Sequence, residues 1–336
     1  MTNLCIISYY GSLETIQLAE NALKECINRP VYNFPLFKYM HDKKEKNSAY
    51  IDKTIDYIKE NNITHLLWWF NGISAKEFIY IKEKTGVKYI LFNWDDPFNW
   101  KSCEIVEKMK YFDAVFITCN DSVIHYKENG CNEAHCLYPG FSPKINYMIT
   151  EPVKDIVDKY SCDISFCCTN LYESDENFPN QFINRKKLID EIYKNQFIQN
   201  YKFYIYGPPS LESLYPKSYK GYAKYYDLNN IFNYSKINLC THVLNNKDGY
   251  LNERIFLIGA SGGLILVDYV DGIEDVFSVN NEILILDKYY YIDQIVSILK
   301  YYKKYNILKN NAYKKCNEKY EYSIWAKTIC DVIKKI

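Results

Sequence analysis

Two adjacent aspartates, Asp95 and Asp96, follow an apolar run that ends at Asn93 and stand directly before Pro97. At the carboxyl end of a strand such a pair can hold a substrate hydroxyl, and one member can take its proton, because a carboxylate withdrawn from water gains basicity. Trp94, Phe98 and Trp100 flank the pair, and aromatic rings of this kind stack on sugars. Two other readings compete. Mg²⁺ sites draw their oxygens from several separated positions rather than one dipeptide, and Asp before Pro is a common turn former.

A second candidate lies in Asp248-Gly249-Tyr250-Leu251-Asn252-Glu253-Arg254, which precedes Gly259-Ala260-Ser261-Gly262-Gly263. A helix that starts near Asn252 would leave backbone N–H groups uncovered beside the Arg254 guanidinium, a combination suited to a diphosphate. Gly262 and Gly263 would end that helix and turn the chain into the next strand. The plain alternative is a helix-to-strand turn with a solvated Glu-Arg pair.

Three further positions follow apolar runs. Thr169-Asn170-Leu171-Tyr172 comes after the run ending at Cys168, and Gly207-Pro208-Pro209 after the run ending at Tyr206, where small or polar residues let a phosphate approach. His242 follows Thr241 and can face a phosphate or a sugar, although a lone histidine is more often structural. His41, His65, His125 and His135 read as structural.

Several classes are disfavoured. The loop Tyr9-Tyr10-Gly11-Ser12 lacks the glycine fingerprint of dinucleotide binding, and neither a P-loop nor a G-x-S-x-G elbow occurs. Forty-one Lys+Arg balance 41 Asp+Glu, so no overall basic field exists to hold a phosphate backbone and nucleic acid is a poor partner. The 12 cysteines include no C-x-x-C pair, several sit in apolar runs, and reduced, buried thiols fit better than zinc or disulfides. No apolar run reaches the roughly 18 residues of a membrane span. The 35 tyrosines, with abundant Lys, Asn and Ile, read as the signature of an AT-rich genome. Together these features predict a cytoplasmic protein.

The elements that must position these residues alternate. Strands are expected at 3–9, 63–70, 88–93 and 114–118, with helices after residue 12 and over 48–60, 74–84, 101–110 and 121–129. The pattern continues with strands at 163–168, 201–206, 237–241, 264–268 and 282–286, and with helices over 184–196, over 228–234 and from about 252. A closing amphipathic helix spans 321–336. Strands that are apolar throughout and alternate with helices predict parallel sheets covered on both faces. At 336 residues the chain exceeds one core and divides into two domains of about 150 residues. The boundary is expected at 155/156, after a polar stretch carrying Pro143 and Pro152. Ligands of such sheets bind beyond the carboxyl strand ends, here on either side of an interdomain cleft.

The chain resembles the CgeB-like, spore-maturation-type glycosyltransferases, relatives of the retaining GT-B families. The likeness rests on Trp94-Asp95-Asp96-Pro97, on Phe112-Asp113-Ala114-Val115-Phe116 through Tyr138-Pro139-Gly140, and on Asp163-Ile164-Ser165-Phe166 with Leu171, Tyr172 and Arg185. Most specific are Ser235-Lys236-Ile237-Asn238-Leu239, Asn252-Glu253-Arg254-Ile255-Phe256 and Ala260-Ser261-Gly262-Gly263.

This resemblance implies a GT-B fold of two facing Rossmann-like domains, a metal-independent reaction without cofactor, and a nucleotide-sugar donor, UDP- or GDP-linked, on the second domain. The first domain, 1–155, would take a glycan, small-molecule or protein acceptor, and the helix over 321–336 would pack back onto it. By the same likeness Arg254 neutralises the diphosphate while Asn252 and Glu253 line the donor pocket, with Thr169, Gly207, His242, Gly249 and Tyr250 around it. Asp95 or Asp96 orients the acceptor or serves as its base. Leu257 stands where the family motif has a glutamate expected at the donor ribose, and Glu253, one helical turn earlier, is the candidate substitute. The alternatives are a non-catalytic glycan- or nucleotide-binding protein that kept the fold, and a sugar-nucleotide epimerase.

Overall fold

The computed structural model describes residues 2–8, 14–40, 49–69, 72–171 and 185–336. The expected positions Tyr9-Tyr10-Gly11-Ser12, His41, Phe70 and Tyr172 lie outside these residues. The chain forms two compact units, Met1–Gly140 with Tyr322–Ile336, and Phe141–Glu321.

The first unit runs β1 (Leu4–Ile7), α1 (Glu14–Ile27), β2 (Tyr32–Phe34), α2 (Leu36–Met40), α3 (Ala49–Glu60), β3 (His65–Trp69), α4 (Ala75–Thr85), β4 (Lys88–Asn93), α5 (Ile105–Lys108), β5 (Ala114–Ile117), α6 (Asn120–Glu128) and β6 (Glu133–Cys136). The second runs α7 (Lys154–Tyr160), β7 (Cys162–Cys167), α8 (Arg185–Lys194), β8 (Phe203–Tyr206), α9 (Ser210–Leu214), α10 (Leu228–Tyr234), β9 (Ser235–Cys240), α11 (Glu253–Ala260), β10 (Ile265–Val267), α12 (Ile273–Val276), β11 (Leu284–Ile285), α13 (Tyr291–Lys300) and α14 (Asn306–Lys319). The last helix, α15 (Tyr322–Ile333), belongs to the first unit.

The first unit holds a parallel six-stranded sheet, β2-β1-β3-β4-β5-β6. Its strands bury both faces. Tyr89 and Leu91 of β4 enter one apolar core, while Ile90 and Phe92 enter the other, and β3 divides Leu66 and Trp68 from Leu67 and Trp69 in the same way. An uninterrupted apolar run is what such a strand needs, since successive side chains point to opposite faces. The second core is closed by α1 and α15: Trp325 lies 5.8 Å from Trp69 and 5.1 Å from Phe92, ring centroid to centroid. Helix α4 shows how locally its ends are set. The Ser74 hydroxyl accepts from the Glu77 amide, the Glu77 carboxylate accepts from the Ser74 amide, and Gly86 ends the helix at φ +66°.

The second unit holds a parallel five-stranded sheet, β11-β10-β9-β7-β8. Ile164 and Phe166 of β7, Ile237 and Leu239 of β9, and Leu266 of β10 fill one core with Leu188, Ile189 and Ile192 of α8. A buried amide ties the middle strands: Asn238 Oδ1 accepts from Ser165 Oγ at 2.8 Å, and its Nδ2 donates to the Phe232 carbonyl at 3.1 Å.

The segment before α7, read from its sequence as a connection, is part of the second unit, which begins at Phe141 rather than at 156. Two asparagines of α10 hold it: Asn229 Oδ1 accepts from the Tyr147 amide at 3.0 Å and Asn233 Oδ1 from the Ile149 amide at 2.9 Å. Where the chain leaves the first unit and where it returns, it is paired with itself. Phe141 forms an isolated parallel bridge with Glu321, the Phe141 amide donates to the Tyr320 carbonyl at 3.1 Å, and a Cβ on Gly140 would meet the Tyr322 ring at 2.7 Å.

Other differences from the sequence expectation are local. The helix expected over 101–110 is reduced to α5 and a 3₁₀ turn at Met109–Tyr111, because Glu104 takes a left-handed φ of +48° that breaks a right-handed helix. Short elements β2, α2, β6, α9 and α12, and the helices α7, α13 and α14, are additional to the expected set.

Candidate functional site

In the first unit the chain leaves β4 in a loop fixed from within. Asn93 and Asn99 exchange side-chain amide hydrogen bonds at 2.8 and 3.0 Å, and Asn93 Oδ1 also accepts from the Asp95 amide at 3.2 Å. Thr118, just past β5, donates its hydroxyl to the Trp94 carbonyl at 3.2 Å. From the other side Lys108, wholly buried, donates to the carbonyls of Ile73 and Cys103 and so joins the segments that follow β3 and β4. Burial pushes the Lys108 ammonium down to about 8.

This frame separates the two aspartates. Asp96 is fully buried; Tyr126 donates its hydroxyl to Asp96 Oδ2 at 2.8 Å, and Ser122 and Trp100 also face the carboxylate. The Asp96-Pro97 peptide is cis. Asp95 keeps accessible surface. Desolvation pushes both carboxyls up to about 6, countered at Asp96 by the neighbouring Ser122, Trp100 and Tyr126 side chains. The expectation that either aspartate can meet an acceptor therefore narrows to Asp95, because Asp96 has no surface to offer. The indoles expected to stack on sugars are engaged too: Trp94 meets Trp69 edge-on at 5.3 Å, and Trp100 meets His125 at 5.6 Å.

In the second unit the site is built from the carboxyl ends of β7, β9 and β10 and the start of α11. Asn252 caps α11: its Oδ1 accepts from the Arg254 amide at 3.0 Å, while its Nδ2 donates to the Thr241 carbonyl at 2.9 Å and anchors the helix start to the end of β9. Arg185, at the start of α8 and buried, reaches the same place. Its Nε and Nη2 donate to Thr241 Oγ1 and O at 2.7 and 2.8 Å, and its Nη1 to the Asn170 carbonyl at 2.8 Å. One guanidinium thus fixes the loops after β7 and β9.

Arg254 is placed differently. Its charge reaches Cys167, Cys168 and Cys240, at the ends of β7 and β9, and opposes the rise that burial imposes on their thiols. Its Nη1 is buried and, among the described residues, meets no hydrogen-bond acceptor. A buried, charged donor without an acceptor is costly, and a ligand oxygen removes that cost. Glu253 stands beside it, accepting from the Tyr225 hydroxyl at 3.2 Å; desolvation pushes its carboxyl up to about 7, with Tyr225 and Arg254 pulling the other way.

His242 forms a buried pair with Asp268. Nδ1 lies 2.7 Å from Asp268 Oδ1, and the His242 amide donates to both carboxylate oxygens at 3.1 and 2.9 Å. Its Nε2 is buried and, among the described residues, meets no hydrogen-bond partner.

Two expected donor glycines have their amides engaged within the second unit. The Gly207 amide donates to Gly221 O at 3.1 Å, and a Cβ there would meet Leu211 Cδ1 at 2.6 Å and Cys168 O at 2.7 Å. Gly249, at φ +72°, gives its amide to Asp271 O at 2.7 Å, so that amide is not free for a phosphate. Tyr250 is buried at 3% exposure. Thr169, in contrast, is exposed at the end of β7. Leu257 is enclosed in apolar surroundings at 2% exposure. Arg185, Asp268, Tyr225 and Lys108 were not singled out as site residues from sequence. The one local signal was Asp268 itself, a carboxylate immediately after an apolar strand. Among the described residues no three or more His, Cys, Asp or Glu side chains gather to hold a metal ion. No described helix is long and apolar enough to cross a membrane.

Residues 185–331, under half of the chain, match the family model described as glycosyl transferase-like. No curated protein matches the chain. Among solved structures, Anabaena HepE in complex with UDP-glucose superposes with a TM-score of 0.71 at 8% identity over 100% of both chains. Sucrose-phosphate synthase from Thermosynechococcus elongatus gives 0.68 at 11% identity, over 100% of this chain and 99% of that one. A glycosyltransferase from Rickettsia africae gives 0.66 at 12% identity, over 99% and 98%. The two parallel-sheet units are those of the GT-B fold.

Proposed function

We propose that this chain is a GT-B glycosyltransferase that moves a sugar from a nucleoside-diphosphate donor to an acceptor hydroxyl. The observation that carries the reading is the buried Nη1 of Arg254, which meets no acceptor among the described residues, beside the capped start of α11. Diphosphate oxygens would accept from this guanidinium and from the first-turn amides that Asn252 does not cover. The same contacts strengthen as the glycosidic bond breaks and negative charge gathers on the departing diphosphate, so they lower the barrier rather than merely hold the donor. The glycosyl transferase-like match over 185–331 and the likeness to HepE, solved with UDP-glucose, support a nucleotide-sugar donor.

In this mechanism Arg185 and Asn252 are positioning residues that hold the ends of β7 and β9 against α11. Glu253, ionised, accepts from donor hydroxyls in place of the glutamate that Leu257 replaces, and Tyr225 orients it. His242, oriented by Asp268, offers Nε2 to the donor. Thr169 borders the nucleotide. Asp95 orients the acceptor hydroxyl or takes its proton. The proposal includes a UDP or GDP donor, hexosyl transfer without a metal ion, membership of the CgeB-like branch and a cytoplasmic location.

A thermal-shift screen against UDP-, GDP-, dTDP- and CMP-sugars tests it, since a ligand that binds only the folded protein stabilises it by mass action. Selective stabilisation followed by slow release of free nucleotide supports the enzyme. Stabilisation with no release under any acceptor supports the non-catalytic binding protein that the apolar Leu257 favours. Interconversion of the donor sugar supports an epimerase.

A further inference from the structure

Away from this site, two thiols meet between the helices that close the first unit. Cys26, in the last turn of α1, and Cys330, on α15, are far apart in sequence; the helices pack together, and Cys26 is near enough to help raise the Cys330 thiol. Cys26 is partly exposed and Cys330 is 2% exposed. Both line a surface recess of about 240 Å³ whose rim also carries Arg29 and Lys334. Lys334 further reaches Asp331 at 3.2 Å. Cys26 and Cys330, two of the 12 free cysteines, thus share one surface recess that also carries positive charge.

We propose that Cys26 and Cys330 are a reversible dithiol–disulfide site whose oxidised form staples α15 to α1. The oxidant it takes is a small disulfide bearing carboxylates, of which glutathione disulfide is the representative. The Cys26 thiolate attacks one sulfur of that disulfide, a first glutathione thiolate leaves and takes a proton, and a mixed disulfide remains on Cys26. Cys330 then gives up its proton, its thiolate attacks Cys26 Sγ, and the second glutathione leaves as thiol. Two protein thiols are oxidised and one disulfide is reduced to two thiols, so atoms and electrons balance. The order follows from access: Cys26 reaches solvent, whereas burial pushes the Cys330 thiol up and makes it the resolving partner. Arg29 and Lys334, lining the same recess, attract the carboxylates of the reagent.

The staple would constrain the unfolded chain more than the folded one, because it closes a loop that contains nearly the whole sequence. The test incubates the full-length protein, folded, with glutathione disulfide, alkylates the remaining thiols and maps the digested peptides by mass spectrometry. The expected result is one new cross-link, joining the Cys26 and Cys330 peptides, with a Tm raised by several degrees that reverses on adding dithiothreitol. In Cys330→Ser or Cys330→Ala the reaction should stop at glutathionylated Cys26 with no rise in Tm, and in Cys26→Ser the Cys330 thiol should stay unreacted. Free alkylation of both cysteines in the wild type, a cross-link between other cysteines, or cross-linking without a rise in Tm would each overturn the proposal.

Discussion

Tyr126 donates its hydroxyl to Asp96 Oδ2 at 2.8 Å, and this bond separates two neighbouring carboxylates into an interior one and an available one. Asp96→Ala removes a buried acceptor and strands the Tyr126 hydroxyl, so it should destabilise the first unit by about 1–3 kcal/mol. Asp95→Asn removes a desolvated charge and strands no hydrogen bond, so it should not destabilise the first unit at neutral pH and should reduce sugar transfer at least tenfold. Urea unfolding of both variants, alongside a transfer assay, checks the pair; equal destabilisation by the two substitutions would contradict the division.

Arg254→Ala should weaken UDP or GDP binding by about 1.5–3 kcal/mol, roughly tenfold to hundredfold, because a charged donor to the diphosphate is lost. Arg254→Lys should recover part of this, since it restores charge without the planar fork. Isothermal titration with the nucleoside diphosphate is the measurement, and unchanged affinity in Arg254→Ala would remove the assigned pocket.

Glu253 gives the site a pH dependence. Its carboxyl is raised from 4.5 to about 7, so the folded protein binds this proton more tightly than the unfolded chain does. Its contribution to stability is therefore fully present below pH 4.5 and declines as the pH rises through about 7. Donor affinity should move the other way, rising between pH 6 and pH 8 as the carboxylate forms and accepts from donor hydroxyls. In Glu253→Gln the affinity should be lower at the alkaline end and nearly flat with pH, while stability at that end should rise by about 1–3 kcal/mol.

Trp325 links α15 to the first sheet, 5.8 Å from Trp69 and 1% exposed. Trp325→Ala should destabilise the first unit by about 3–5 kcal/mol. Nucleotide binding by the second unit should survive in the fraction that remains folded, as measured by titration below the unfolding transition.

What the sequence made readable was what local chemistry dictates. Strands β3 and β4 announce themselves because both faces are buried and every residue must be apolar. Strand β6, at the sheet edge, carries Glu133 and His135, which pair with each other at 2.9 Å, and so hides in a polar stretch. Helix α7 was masked by prolines that looked like a linker. The tyrosine- and lysine-rich α13 and α14 carry wide solvated faces that blur their apolar stripe. In the site, Asn252 and Arg254 were readable because a cap and a helix start are local patterns. Tyr225, Asp268 and Arg185 were not, because each acts on a partner 28, 26 or 56 residues away, a distance only the fold closes. Asp96, Gly207 and Gly249 show the converse: the residue types were suggestive, but the interior had already engaged their polar groups.

The bridge between Phe141 and Glu321, with Gly140 pressed against Tyr322, means that the second unit begins and ends at one point. In topological terms residues 141–321 are a cassette inserted into a domain that is otherwise contiguous. Excising it and rejoining the cut ends through a short glycine-serine hairpin would preserve every strand pairing of the remaining sheet. The same closeness predicts that residues 141–321 expressed alone keep a cooperative unfolding transition, which circular dichroism of that fragment checks.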